Sequence, residues 1–194
     1  MKPLKIGVLA VQGAFIEHIQ ALEALGAECV ELRQLKDLEQ ELNGIVLPGG
    51  ESTAQSKLLH DLGMFEPLKA RLESGVPVLA TCAGMILLAE HLSNDNKVHF
   101  ATMHITVRRN AYGRQLGSFR TADAFGSLGI LPMTFIRAPF IEKVGPGVEV
   151  LAVVDEHVVA AKYKNQIALA FHPELDIETS NAIHSLFLGL CKSK

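Results

Sequence analysis

Residues 4–11 form a nearly unbroken apolar run rich in Leu, Ile and Val, and such a run predicts a strand buried on both faces. The pattern then changes period. Over residues 15–25, Ile16, Ile19, Ala21, Leu22 and Leu25 fall on or near one helical stripe, and Gly26 stands where a helix end takes a left-handed residue. A second strand is expected at 29–32, a short amphipathic helix at 35–42 and a third strand at 44–47. Helices are expected at 54–61 and 65–73, a buried strand at 77–81 and a helix at 85–91. This alternation predicts a mostly parallel α/β sheet with right-handed crossovers.

Beyond residue 100 the pattern shortens. Short strands are expected at 100–107, 118–122, 134–136, 148–153, 158–163 and 167–171, joined by turn-rich spacers such as Gly145-Pro146-Gly147 and Lys164-Asn165. These predict antiparallel additions to the sheet or a small second sheet. A last helix, 177–190, closes the chain. Without a repeat or a linker, residues 1–194 are expected to form one domain.

Composition narrows the function classes. The 194 residues are 48% hydrophobic and 20% charged with a net charge of −3, as in an ordinary globular protein. No Lys/Arg cluster or set of stacking aromatics points to nucleic acid. The longest uncharged stretches, 76–89 and 124–136, fall short of the roughly 20 residues a membrane helix needs. Cys29, Cys82 and Cys191 are odd in number and far apart, which argues against a disulfide framework and for a cytoplasmic setting. No histidine or cysteine spacing suggests a metal site. His60, His91, His99, His157 and His184 read as surface or packing residues.

Three segments could carry chemistry. Cys82 sits between an expected buried strand and a helix, in Thr81-Cys82-Ala83-Gly84. A tight turn there presents a side chain at the carboxyl edge of the sheet, and the helix N-terminus behind it favours a thiolate. Taken alone, a cysteine in this position is as readily a packed core residue. His172-Pro173-Glu174 follows the last expected strand, so His172 can reach a neighbouring strand end while Glu174 curls back to hold its other ring nitrogen. Taken alone it reads better as a surface-loop histidine with an acid leading the next helix. In Pro48-Gly49-Gly50-Glu51-Ser52-Thr53, the glycines let backbone N–H groups of Gly50 and, across the site, Ala83 form an oxyanion hole. Ser52 or Thr53 could also simply cap the following helix. Arg109 suits a substrate carboxylate, as does Arg137 in Ile136-Arg137-Ala138-Pro139, though each could be a solvated loop residue.

Together these segments resemble the class I glutamine amidotransferases, in which a nucleophile on a strand-to-helix turn is served by His-Pro-Glu. The resemblance narrows to the glutaminase subunits of pyridoxal 5′-phosphate synthases. It rests on Val11 to Ala14 with Glu17-His18, Pro48 to Thr53, Thr81 to Gly84, Arg109-Asn110 with Gly113-Arg114-Gln115, Phe135 to Pro139 and Phe171 to Glu174, in that order. It departs at Arg108, Ala111 and Tyr112, which flank Arg109.

The resemblance implies a three-layer sheet flanked by helices and a Cys82–His172–Glu174 triad acting on L-glutamine. It implies glutamine contacts from Gly50, Glu51, Ser52, Arg109, Ile136 and Arg137, and an oxyanion hole from Gly50 and Ala83. No metal or organic cofactor is implied. Ammonia would pass to a separate synthase subunit in a hetero-oligomer. Two other readings use the same scaffold: a γ-glutamyl hydrolase or class I-like peptidase, and a non-catalytic regulatory subunit.

Overall fold

The computed structural model describes residues 2–111 and 117–192, so Tyr112, Gly113, Arg114 and Gln115 of the quoted motifs lie outside the described residues. The parallel half contains β1 (Lys5–Leu9), α1 (Phe15–Ala24), β2 (Glu28–Leu32), β3 (Gly44–Leu47), α2 (Ser52–Asp61), α3 (Phe65–Glu73), β4 (Val78–Thr81) and α4 (Ala83–Leu88). There follow β5 (Ala89–Leu92), β6 (Met103–Arg108), β7 (Ser118–Ala124), β8 (Ile130–Ile136), β9 (Phe140–Val144), β10 (Val148–Val154), β11 (His157–Tyr163), β12 (Gln166–Leu169) and α5 (Ile177–Lys192).

The main sheet runs β2-β1-β3-β4-β12-β11-β9-β6-β5, with β10 paired to β11. The stretch from β2 to β12 is parallel throughout. β3, β4 and β12 are buried at every residue, as strands covered on both faces must be. The chain moves one way across the sheet through α1 and the other way through α2 and α3. Right-handed crossovers therefore place these helices on opposite faces. α5 packs beside α1, and α4 beside α2, which completes three layers. The expected antiparallel additions are present as β11, β9 and β10, and β7 and β8 form a separate two-stranded ribbon. No helix among the described residues is long and apolar enough to cross a membrane.

Three local expectations are corrected. The segment expected as a helix at 35–42 is a 3-10 turn, Leu35–Glu39. A capping box between Gln34 and Asp37 starts it, and Gln40 is already extended. The helix expected at 85–91 stops at Leu88, because Ala89 and His91 pair with Met103 and Thr106 of β6. β9 was not expected; it joins β6 to β11 and so carries the sheet into its far half.

Candidate active site

Strand order reverses around β1, and open α/β sheets bind ligands in the crevice at that point, beyond the strand carboxyl ends. The loops that leave β1, β3, β4 and β12 carry Gln12, Gly49-Gly50, Cys82 and His172. All of them line one cavity of about 340 Å³. Glu51, Ser52, Arg109, Ile136 and Arg137 line it as well. Sequence separations of up to 160 residues, from Gln12 to His172, thus collapse to one pocket because their strands are neighbours in the sheet.

Cys82 occupies the turn between β4 and α4 with φ 48° and ψ −102°, a conformation costly for any residue bearing a Cβ. The turn is held by the Cys82 N–H, which donates to the Leu169 carbonyl at 2.8 Å. Gly84 is required beside it, since a Cβ there would collide with the Leu47 backbone carbonyl. Held this way, the thiol is buried to 7% exposure yet still faces the cavity.

The His172 backbone is fixed by its N–H donating to Thr134 of β8 at 2.8 Å. Its Nδ1–H donates to Glu174 Oε1 at 2.7 Å, which leaves Nε2 for the cavity side. Glu174 comes from the 3-10 turn Pro173–Leu175, and its side chain is fully buried. Burial disfavours charge on His172, but hydrogen bonds to Cys82 and Glu174 outweigh it and raise the ring to about 10. Burial likewise works against the Glu174 carboxylate, yet the hydrogen bond and positive charge of His172 hold it below its ordinary range. The pair is therefore an imidazolium beside a carboxylate at neutral pH. Gly49 closes the other side of the ring, where a Cβ would collide with His172 Cε1.

The loop after β3 differs from one alternative expected for it. Neither Ser52 nor Thr53 caps α2; Glu51 does, accepting from Thr53 N–H at 3.1 Å and Ala54 N–H at 2.7 Å. A carboxylate reaches over two N–H groups where a hydroxyl reaches one. This leaves Ser52 Oγ buried in the cavity wall without a hydrogen-bond partner among the described residues. The Gly49 carbonyl accepts from Ala14 N–H at 3.0 Å, so the Gly50 N–H of the same planar peptide points away from Ala14. Ala83 opens α4 and is fully buried.

Arg109 reaches the same wall. Its guanidinium donates to Asp95 at 2.7 Å and to Glu51 and Thr53 Oγ1 at 3.2 Å each. Arg108 points elsewhere, to Glu142 at 3.2 Å. Arg137 has φ 44° at the end of β8, and its N–H donates to the Gly117 carbonyl.

Several supporting residues carry no role in the sequence reading. Gln12 Oε1 accepts from Glu51 N–H at 2.9 Å, and Gln55 Nε2 donates to the Gln12 and Pro48 carbonyls at 3.0 and 3.2 Å, bracing the loop. Asn94 clamps the Arg109 backbone from both sides, accepting from its N–H at 3.0 Å and donating to its carbonyl at 2.9 Å. Single polar residues, whether in loops like Gln12 and Asn94 or on a helix like Gln55, give no periodic signal, so only their partners reveal them. Among the described residues no group of three or more His, Cys, Asp or Glu side chains is arranged to hold a metal ion.

A strained Cys82 turn thus faces a buried His172–Glu174 pair at the carboxyl edge of a doubly wound sheet. The chain belongs to the SNO glutamine amidotransferase family, whose model matches residues 8–193. It is 60% identical to pyridoxal 5′-phosphate synthase subunit PdxT of Desulfitobacterium hafniense (strain Y51), over 95% of this chain and 92% of that protein. It is 53% identical to the PdxT subunit of Haemophilus influenzae (strain PittGG), over 97% and 99% of the two chains. A crystal structure of a glutamine amidotransferase superimposes with a TM-score of 0.89 at 38% identity, covering 96% of this chain and 98% of that one.

Proposed function

We propose that this chain is the glutaminase subunit of a cytoplasmic pyridoxal 5′-phosphate synthase, with Cys82, His172 and Glu174 as its triad. The observation that carries the catalytic reading is the 2.7 Å bond from His172 Nδ1–H to Glu174 on a ring that also bonds Cys82. His172 accepts the thiol proton, and the sulfur attacks the carboxamide carbon of glutamine. The oxygen of the tetrahedral intermediate takes up negative charge, for which the N–H groups of Ala83 and Gly50 are the donors. His172 gives its proton to the amide nitrogen, the C–N bond breaks and ammonia leaves a γ-glutamyl thioester. Neutral His172 then takes a proton from water as the hydroxide attacks the thioester. The C–S bond breaks, releasing glutamate and restoring the starting pair.

Arg109 and Arg137 supply cationic partners for the glutamine α-carboxylate, and Glu51 an anionic one for its ammonium. Ile136 and the unpartnered Ser52 Oγ complete that wall. The Gly49–Gly50 peptide can adopt a second orientation because glycine carries no Cβ to forbid it. Docking of a synthase subunit is then what sets the oxyanion donor. The relatives' names, as subunits of a synthase, support that partner. The test is ammonia release from glutamine by the chain alone and by its complex with a pyridoxal phosphate synthase subunit. Release should be slow alone and rise on complex formation. Equal rates would exclude the partner-set oxyanion hole, and no release in either case would favour a regulatory subunit.

A further inference from the structure

Behind Glu174 lies a second row of buried polar groups. Glu174 Oε2 lies 3.4 Å from His18 Nε2, His18 Nδ1 lies 2.9 Å from His184 Nε2, and His184 Nδ1 lies 2.7 Å from the Ser180 carbonyl. His18 on α1 and His184 on α5 are both fully buried. His184 is expected from the sequence as a surface or packing residue, and His18 carries no expected role.

The far end of this row fixes its protons. His184 Nδ1 lies 3.1 Å from the Ser180 hydroxyl as well, but the shorter contact is to the carbonyl, which only accepts, so Nδ1 carries the hydrogen and donates to it. Neutral His184 then offers a bare Nε2, and His18 Nδ1–H donates to it. Neutral His18 in turn offers a bare Nε2, which accepts from the Thr81 hydroxyl at 3.2 Å. Burial holds both rings neutral, pushing His18 down to about 4 and lowering His184. The 3.4 Å approach to Glu174 is therefore lone pair against lone pair, and Oε2 has no hydrogen-bond partner among the described residues.

An unpartnered oxygen on a buried carboxylate is costly, and here a fixed tautomer maintains it. We propose that His18, locked by His184 and the Ser180 carbonyl, is a positioning residue that withholds a donor from Glu174 Oε2 and so directs the carboxylate charge onto His172. The titratable groups packed around this carboxylate are His172 after β12, His18 on α1, His184 on α5 and, beyond His172, Cys82 before α4. Every donor that reached Oε2 would divert charge from the Glu174 hydrogen bond, which with that to Cys82 keeps the imidazolium protonated. The inference rests on the triad reading above.

The test is the pH profile of glutamine kcat/KM, and of Cys82 alkylation by iodoacetamide, in the complex with the synthase subunit. His18→Gln puts an amide donor beside Oε2. His184→Leu removes the acceptor for His18 Nδ1–H, so that His18 turns its hydrogen to Nε2 and toward Glu174. Both should move the basic limb, where His172 loses its proton, down by about one pH unit, the effect of one hydrogen bond on a carboxylate. His18→Phe supplies no donor and should leave that limb in place, whatever it does to the melting temperature. The two donor-restoring variants act at different residues, so failure of either to fold leaves the other decisive. Basic limbs coincident with the parent in the folded variants, or an equal shift in His18→Phe, would overturn the proposal. Failure of the triad itself shows separately, as glutaminase activity retained by Cys82→Ala.

Discussion

Gly49→Ala is expected to lower kcat for glutamine about 100-fold while leaving the fold intact. Gly49 does not have a positive φ, so alanine fits its backbone without strain. The added Cβ meets the His172 ring instead, colliding with Cε1 and lying 3.1 Å from Nδ1 and 3.4 Å from Nε2. Ordinary carbon contacts lie at about 3.5–4.0 Å, so the ring or the loop must give by roughly 1 Å. The loop resists, because its Gly49 carbonyl is held by Ala14 N–H at 3.0 Å. A displacement of that size at a catalytic group costs on the order of 10²-fold in rate. The assay is ammonia release coupled to a dehydrogenase, on the complex with the synthase subunit, with KM and melting temperature recorded alongside. Synthesis fed with ammonium salt should be unchanged. A variant that folds and keeps kcat within about threefold of the parent would refute the reasoning, since the ring would then not depend on that space.

Two further outcomes follow from the same geometry. Asn94→Ala removes both hydrogen bonds that clamp the Arg109 backbone, a loss of ~1–2 kcal/mol. KM for glutamine should rise by about 5- to 30-fold with kcat little changed; an unaltered KM would remove Arg109 placement from the account of binding. Folding stability should also vary with pH on both sides of neutrality. Burial depresses His18 from 6.5 to about 4, so the unfolded chain takes up a proton that the folded chain refuses as pH falls through that window. The loss is at most about 3 kcal/mol. His172 is raised to about 10, so its stabilising contribution is complete below 6.5 and is lost as pH rises toward about 10. Melting temperature should therefore peak between these windows, and His18→Phe should flatten the acid side. A parent curve level from pH 7 to 5 would contradict this burial argument.

The parallel half of the fold was legible because its strands are buried on both faces and so read as apolar runs, and because Gly26 and Gly75 mark helix ends. Cys82 was legible for the same reason: a buried strand ran into Ala83 and Gly84. β5 was not, because Leu88-Ala89-Glu90-His91 contains no breaker, and only pairing with β6 overrides its helical preference. β9 was hidden by its mixed composition, Phe-Ile-Glu-Lys-Val behind Pro139. At the site, Cys82, His172, Glu51 and Arg109 announced themselves by motif and line one cavity, with Glu174 buried behind His172. Asn94 as clamp and His18–His184 behind the triad did not, since each depends on a partner distant in sequence, and Glu51 as helix cap was masked by the hydroxyls of Ser52 and Thr53 beside it. The His18–His184 spacing of 166 residues carries no local signal at all.

The central claim is that Cys82 is the nucleophile that releases ammonia for a separate synthase subunit. Its most direct test is Cys82→Ala in the assembled complex, followed for pyridoxal phosphate formation from glutamine and from ammonium salt in parallel. Glutamine-fed synthesis should be abolished and ammonium-fed synthesis should match the parent. Glutamine-fed synthesis at the parental rate would contradict the account.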